Sequence, residues 1–153
     1  MKAPMRVEPG PASIDCYCAN LRMATRAMTR IYDAALRPAG LRTTQFSILS
    51  RLEADGPLGV SRLAERLAMD RTTLAREVGP LVAAGLVERT IGADRRQRRL
   101  ALTRSGRARL RKAWPLWTHV QRHVGSAFGE ERAGELVQAL RDLVVLPDTP
   151  GLR

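Results

Sequence analysis

Between Leu86 and Lys112 the chain reads LVERTIGADRRQRRLALTRSGRARLRK, and this stretch narrows the possible folds more than any other. Val87 to Thr90 and Arg98 to Leu102 each have the length and composition of a short strand. The polar loop Gly92-Ala93-Asp94-Arg95-Arg96-Gln97 lies between them, so a β-hairpin is predicted. From Arg89 to Lys112 ten basic residues stand against one acid, Asp94, which is a net +9 of the +11 carried by all 153 residues. Evenly scattered charge would mean only a cationic surface. Charge gathered on and after one hairpin implies a polyanionic partner. Nearly all of it is Arg, with Lys only at positions 2 and 112, so base composition contributes and single surface arginines carry little weight.

The rest of the chain reads as helices. Ile14, Cys18, Leu21, Thr25, Met28 and Tyr32 recur at spacings of four and three, which predicts a long first helix from Ile14 to about Leu36. Pro38 and Gly40 end it. A second helix is expected over Thr44 to Glu53, broken by Asp55-Gly56-Pro57, and a third over Val60 to Leu67. Met69-Asp70 makes a turn, and Asp70 caps a fourth helix from Arg71 to about Ala84, stopped by Gly85. Pro80 interrupts that helix locally, but the spacing of Leu74, Val78 and Leu81 continues across it, so a bend is expected and not a stop. Thr103 caps a fifth helix over Arg104 to Ala127, with a kink at Pro115. Phe128-Gly129 turns into a sixth over Glu130 to Leu146, whose acidic start suits the helix dipole.

This order gives a mainly α fold with a small β-hairpin wing. It is a winged helix-turn-helix over 41–103, joined to a helical dimerisation region made of the first helix (14–40) and the fifth and sixth (104–146). Residues 1–13 are expected to be a flexible arm and 147–153 a flexible tail. The first helix, at more than twenty residues, is too long for a small domain to cover, so it is expected to pair with a second copy.

On the fourth helix Leu74, Val78 and Leu81 face inward. Thr72, Arg76 and Gly79 then point outward, flanked by Arg71 and Ala75. Arg76 suits a guanine edge and Thr72 a base or a thymine methyl, while Thr73 and the first-turn N–H groups suit phosphate, and the flanking Arg71 is a further DNA-binding candidate. In the wing, Asp94 either holds Arg96 ordered for a minor groove or is a plain turn residue; Arg95 and Arg98 suit phosphates. The expected partner is double-stranded DNA with a pseudo-palindromic site, bound by a homodimer.

Composition excludes several other classes. With 44% apolar residues the chain can form a core, and with 4% aromatics that core is mostly aliphatic. There is no apolar run of membrane-spanning length and no secretory signal near the start, so a cytoplasmic protein without a membrane partner is expected. Cys16 and Cys18 are then reduced at rest. No catalytic residue, cofactor or metal site is assigned. His119 and His123 have metal spacing but no third ligand. A thiol peroxidase using Cys18 is the alternative of another class, but it leaves the basic segment unexplained. An RNA-binding winged helix would lack an aromatic stacking platform.

Leu67-Ala-Met-Asp-Arg-Thr-Thr-Leu-Ala-Arg76, Pro80-Leu-Val-Ala-Ala-Gly-Leu-Val87, Asp94-Arg-Arg96 and Leu102-Thr-Arg-Ser-Gly106 resemble the MarR family of transcriptional regulators, over roughly 14–145. The resemblance implies a homodimer with interlocked first, fifth and sixth helices, and winged domains on successive major grooves. It also implies a repressor released by a phenolic ligand or by cysteine oxidation, with the wing arginine at Arg96.

Two signals follow. Cys16 and Cys18, if both helical, project about 200° apart and cannot bond without unwinding that turn. Each would act alone, or with a thiol of the other subunit or of a small molecule. The chain also resembles the organic-peroxide-sensing branch of the family, since Arg26-Ala-Met-Thr29 stands eight residues after Cys18. That resemblance implies that Tyr32 hydrogen-bonds the thiol; two other tyrosine positions of the branch are Arg22 and Thr43 here. The plainer reading makes both cysteines packing residues. The second candidate signal is a small aromatic ligand, phenolic or carboxylate, held by Trp114, Trp117 and Gln121, which otherwise pack across a dimer.

Overall fold

A computed structural model describes residues 16–91 and 98–145. Helix α1 covers Tyr17–Leu36, α2 Thr43–Asp55, α3 Val60–Arg66, α4 Arg71–Ala83, α5 Arg104–Phe128 and α6 Glu130–Val144. Strands β1 (Leu58–Gly59), β2 (Val87–Ile91) and β3 (Arg98–Leu102) form an antiparallel sheet in the order β1-β3-β2. This is the mainly α, winged helix-turn-helix architecture that the sequence predicts. The arm, the wing tip (92–97) and the tail lie outside the described residues, and Asp94, Arg95 and Arg96 with them.

Several boundaries differ from the sequence reading, each for a local reason. Ile14 lies outside the described residues, and α1 starts at Tyr17 with Cys16 as its N-cap in an extended conformation. Its other end tightens into a 3-10 turn, Arg37–Ala39, because Pro38 suits the first turn of a helix, and Gly40 closes it at φ 67°. Helix α2 begins one residue early, at Thr43. Asp33 of α1 accepts the Thr43 N–H at 2.7 Å, and Gln45 Oε1 accepts the Arg42 N–H at 3.1 Å. Both α4 and α5 run on through their prolines.

Strand β1 is absent from the sequence reading. Two residues after Pro57 hold no strand alone; they form one because β3 offers a free edge, with Leu58 opposite Leu100 and Gly59 opposite Arg99. The turn between α3 and α4 is Leu67-Ala68, with Ala68 at φ 50°, and not Met69-Asp70.

The core joins α1, α2, α3, α4, the sheet and α5. Leu36, Ile48, Leu49, Leu52, Leu63, Leu74, Leu81 and Val87 are fully buried. Helix α5 is fastened to this unit at its first turn. Thr103 Oγ1 accepts the Gly106 N–H at 2.9 Å and donates to Gly85 O at 2.7 Å, and the Thr103 N–H donates to Leu86 O at 3.1 Å. Further along, Arg109 donates to Ala39 O at 3.1 Å. No described helix is long and apolar enough to cross a membrane.

Candidate nucleic-acid interface

Asp70 sets the start of α4. Its carboxylate accepts the Thr73 N–H at 2.8 Å and the Thr73 hydroxyl at 2.6 Å. Those bonds hold the Asp70 carboxyl below its ordinary value, the hydroxyl contributing most. Both donors of Thr73 are therefore engaged within the chain. Leu74, Val78 and Leu81 are buried, while Arg71, Thr72, Ala75 and Arg76 are exposed and Gly79 is half-buried. The outward row read from the sequence is thus in place. Next to it Glu77 pairs with Arg42 at 3.2 Å, an ion pair joining α4 to the start of α2 that sequence spacing does not reveal.

The hairpin lies beside this row. Val87 faces Leu102, Arg89 faces Leu100 and Ile91 faces Arg98. Alternation puts Val87, Arg89, Ile91, Arg98, Leu100 and Leu102 on one face of the sheet. The inner end of that face is core and the outer end is cationic. Between it and α4 lies a small, mostly apolar cleft of about 120 Å³, lined by Val60, Ala75, Val78 and Leu100 together with the strand residues Arg89, Arg98 and Arg99. The sequence reading assigned a role to Arg98 but to neither Arg89 nor Arg99.

The sensor candidates sit elsewhere. Cys16 and Cys18 are exposed free thiols at the start of α1, and Cys16 Sγ accepts the Ala19 N–H at 3.4 Å. Only Cys18 is helical, so the angular separation expected of two helical thiols does not apply. Tyr32 does not meet Cys18 within the chain, because fourteen helical residues separate them by about 21 Å. Tyr32 instead donates to Gln121 on α5, and burial pushes its phenol above the ordinary value. Trp114 and Trp117 gather with Phe46 of α2. Phe46 lies 5.7 Å from Trp114 and 5.8 Å from Trp117, centroid to centroid, and Trp114 is half exposed. Of the three residues proposed for a ligand, Trp114 and Trp117 therefore stack together with Phe46, while Gln121, one helical turn beyond Trp117, is engaged by Tyr32. Among the described residues no group of three His, Cys, Asp or Glu side chains is placed to hold a metal.

The MarR family model matches residues 41–97, the winged unit. No curated protein matches the sequence. Among solved structures, the M. tuberculosis transcriptional regulator MosR in complex with DNA is 40% identical, over 84% of this chain and 98% of that one, with a TM-score of 0.70. A probable transcriptional regulator from Pseudomonas aeruginosa is 26% identical over 84% and 97%, with a TM-score of 0.77. The transcriptional repressor CouR of Rhodococcus jostii, bound to a 23-mer DNA duplex, is 25% identical over 89% and 98%, with a TM-score of 0.78.

Proposed function

The chain belongs to the MarR family of DNA-binding transcriptional regulators and is not an enzyme; from that premise we propose that it is a homodimeric repressor of a pseudo-palindromic operator, released when Cys18, with Cys16, is oxidised. One observation carries the DNA-binding part. The exposed row Arg71, Thr72 and Arg76 on α4 stands beside a hairpin whose outer face is cationic. In this reading Arg76 contacts a base edge in the major groove and Thr72 a base or methyl group. Arg71, Arg95 and Arg98 serve phosphates; Thr73, expected from the sequence to join them, is left out because Asp70 takes both of its donors. Arg96, oriented by Asp94, enters the minor groove. Repression is favoured because a DNA-bound relative is a repressor.

The dimer rests on α6. None of its residues is buried within the chain, and Leu136, Val137, Leu140, Leu143 and Val144 form one exposed apolar stripe. A helix of fifteen residues is marginal in water by itself. Burying that stripe against a second copy, with α1 and α5, gives it a packing partner. The regions 14–40 and 104–146 then hold the dimer together and 41–103 reads DNA.

Redox release is favoured by two accessible thiols at the start of a dimerisation helix. An organic hydroperoxide transfers one oxygen to the Cys18 sulfur, giving a sulfenic acid and an alcohol; a second thiol then condenses with it, forming a disulfide and water. Anisotropy titration of a duplex selected from a random pool, before and after a stoichiometric hydroperoxide, tests this. Wild type should lose affinity and Cys18→Ser should keep it; equal responses refute the switch. A second reading, release by an aromatic acid, is favoured by the half-exposed Trp114 beside Trp117 and Phe46. A thermal-shift screen with aromatic carboxylates checks it, and no shift at millimolar levels counts against it.

A further inference from the structure

We propose that Arg42 is a positioning residue for DNA binding: it neutralises Glu77, the one carboxylate of α4, and so sets affinity for DNA without touching it. The proposal rests on the DNA-binding reading above. Helix α4 runs Arg71–Ala83, and Glu77 is its single acid. It follows Arg76 directly and lies about 100° around the helix from it, on the side turned to the start of α2. A helix with its side chains is about 10 Å across, which is also about the Debye length at 0.1 M salt. A carboxylate at this position therefore acts on any strand that meets Arg76. Left alone it would repel the phosphates. The Arg42 guanidinium, 3.2 Å away, cancels that charge.

Stability is a poor reason for this pair. The Arg42 side chain is 58% exposed and that of Glu77 22%, and ion pairs so open to water add little to folding. Nor has Glu77 a substitute cation on its own helix. The positions three and four residues away carry Thr73, Leu74, Pro80 and Leu81. Asp70, which caps the helix, differs in this respect, since the Thr73 N–H and hydroxyl offset its charge. Arg42 is also mounted firmly. Its N–H donates to Gln45 Oε1 at 3.1 Å, and its carbonyl accepts the Phe46 N–H at 2.9 Å. The next residue, Thr43, donates its N–H to Asp33 of α1 at 2.7 Å. The cation thus reaches α4 from a fixed base at the start of α2.

The test is a double-mutant cycle on the full-length protein, with Arg42→Gln, Glu77→Gln and the two combined. Each is titrated at low and high salt with a labelled duplex selected by wild type and a scrambled duplex of equal composition. The substitutions remove a positive charge, a negative charge, and one of each. Arg42→Gln should weaken both duplexes by about fivefold at low salt, the order expected of one unpaired charge near several phosphates. Glu77→Gln should tighten both by a similar factor, and the double variant should bind about as wild type does. All of these differences should shrink as salt rises. Thermal unfolding checks that each variant is folded, with Tm shifts of no more than a few degrees expected. Weaker binding in all three variants would mean that the pair holds α4 in place, and would overturn the charge role. A loss in Arg42→Gln that persists in the double variant would mean that Arg42 meets DNA itself, and would overturn it too. Equal affinity in all four proteins would do the same. Each of these results leaves DNA binding intact, whereas failure of wild type to bind any duplex would overturn both readings.

Discussion

Gly106→Ala isolates the join between the winged unit and α5. Gly106 lies in the first turn of α5, and helix propensity alone says that alanine there should stabilise by about 1 kcal/mol. Packing says the opposite. A Cβ at this position would stand 2.1 Å from Leu86 O and 2.6 Å from Leu102 Cδ1. The first obstacle is a carbonyl that cannot turn aside freely, because it accepts the Thr103 N–H at 3.1 Å at the start of α5. Either that bond is lost or α5 lifts from the sheet. Overpacking costs about 1–3 kcal/mol, with a hydrogen bond adding about 1 kcal/mol. After the propensity gain, a net loss of about 1–3 kcal/mol is expected, or a Tm lower by roughly 2–12 °C. Gly134 supplies the control: it is interior to α6, nothing lies within 4 Å of its added Cβ, and Gly134→Ala should raise Tm by a few degrees. Both variants are measured by thermal unfolding at one protein concentration, since dimerisation shifts Tm. A Gly106→Ala protein as stable as wild type would refute the packing argument.

Three further outcomes follow from the described geometry. Ala68 holds φ 50°, so Ala68→Gly should relieve about 1 kcal/mol of left-handed strain, partly offset by unfolded-chain entropy, and raise Tm slightly; a lowered Tm would contradict this. Asp70 has a depressed folded value, so its bonds add stability above the ordinary aspartate range, about 3.9, and lose it as pH falls through the lower folded value. Asp70→Asn keeps a capping oxygen but should lose that acid-side dependence, read by urea unfolding between pH 7 and pH 2. Arg76→Ala should weaken the selected duplex by about 1–3 kcal/mol and broaden the sequences recovered in a new selection; an unchanged preference would remove Arg76 from base reading.

Much of the fold could be read from the sequence because the signals for it are local. Asp70 and Thr103 cap the helices they precede, Gly40 and Gly85 stop the elements before them, and the apolar spacing of Leu74, Val78 and Leu81 orients α4. Each depends on residues within a turn of one another. The same holds for the hairpin, whose two strands are near neighbours in the chain, and for the exposed row on α4, which follows once its buried side is known.

What the sequence did not reveal depends on residues far apart. Strand β1 exists only because β3 passes it, forty residues on. The pairs Arg42–Glu77 and Tyr32–Gln121 span 35 and 89 residues. Arg89 and Arg99 looked like two more charges in an arginine-rich segment until strand register set Arg89 on the side facing α4 and placed Arg99 beside β1. The cysteines show the converse error: periodicity carried the helix back to Ile14, whereas Cys16 is its cap. That one residue matters chemically. A thiol on a helix is fixed by the turn beneath it, but a thiol at an extended cap can swing toward a neighbour. Whatever Cys18 does after oxidation, its nearest second thiol in the chain is held by far less structure than the helical pattern implied.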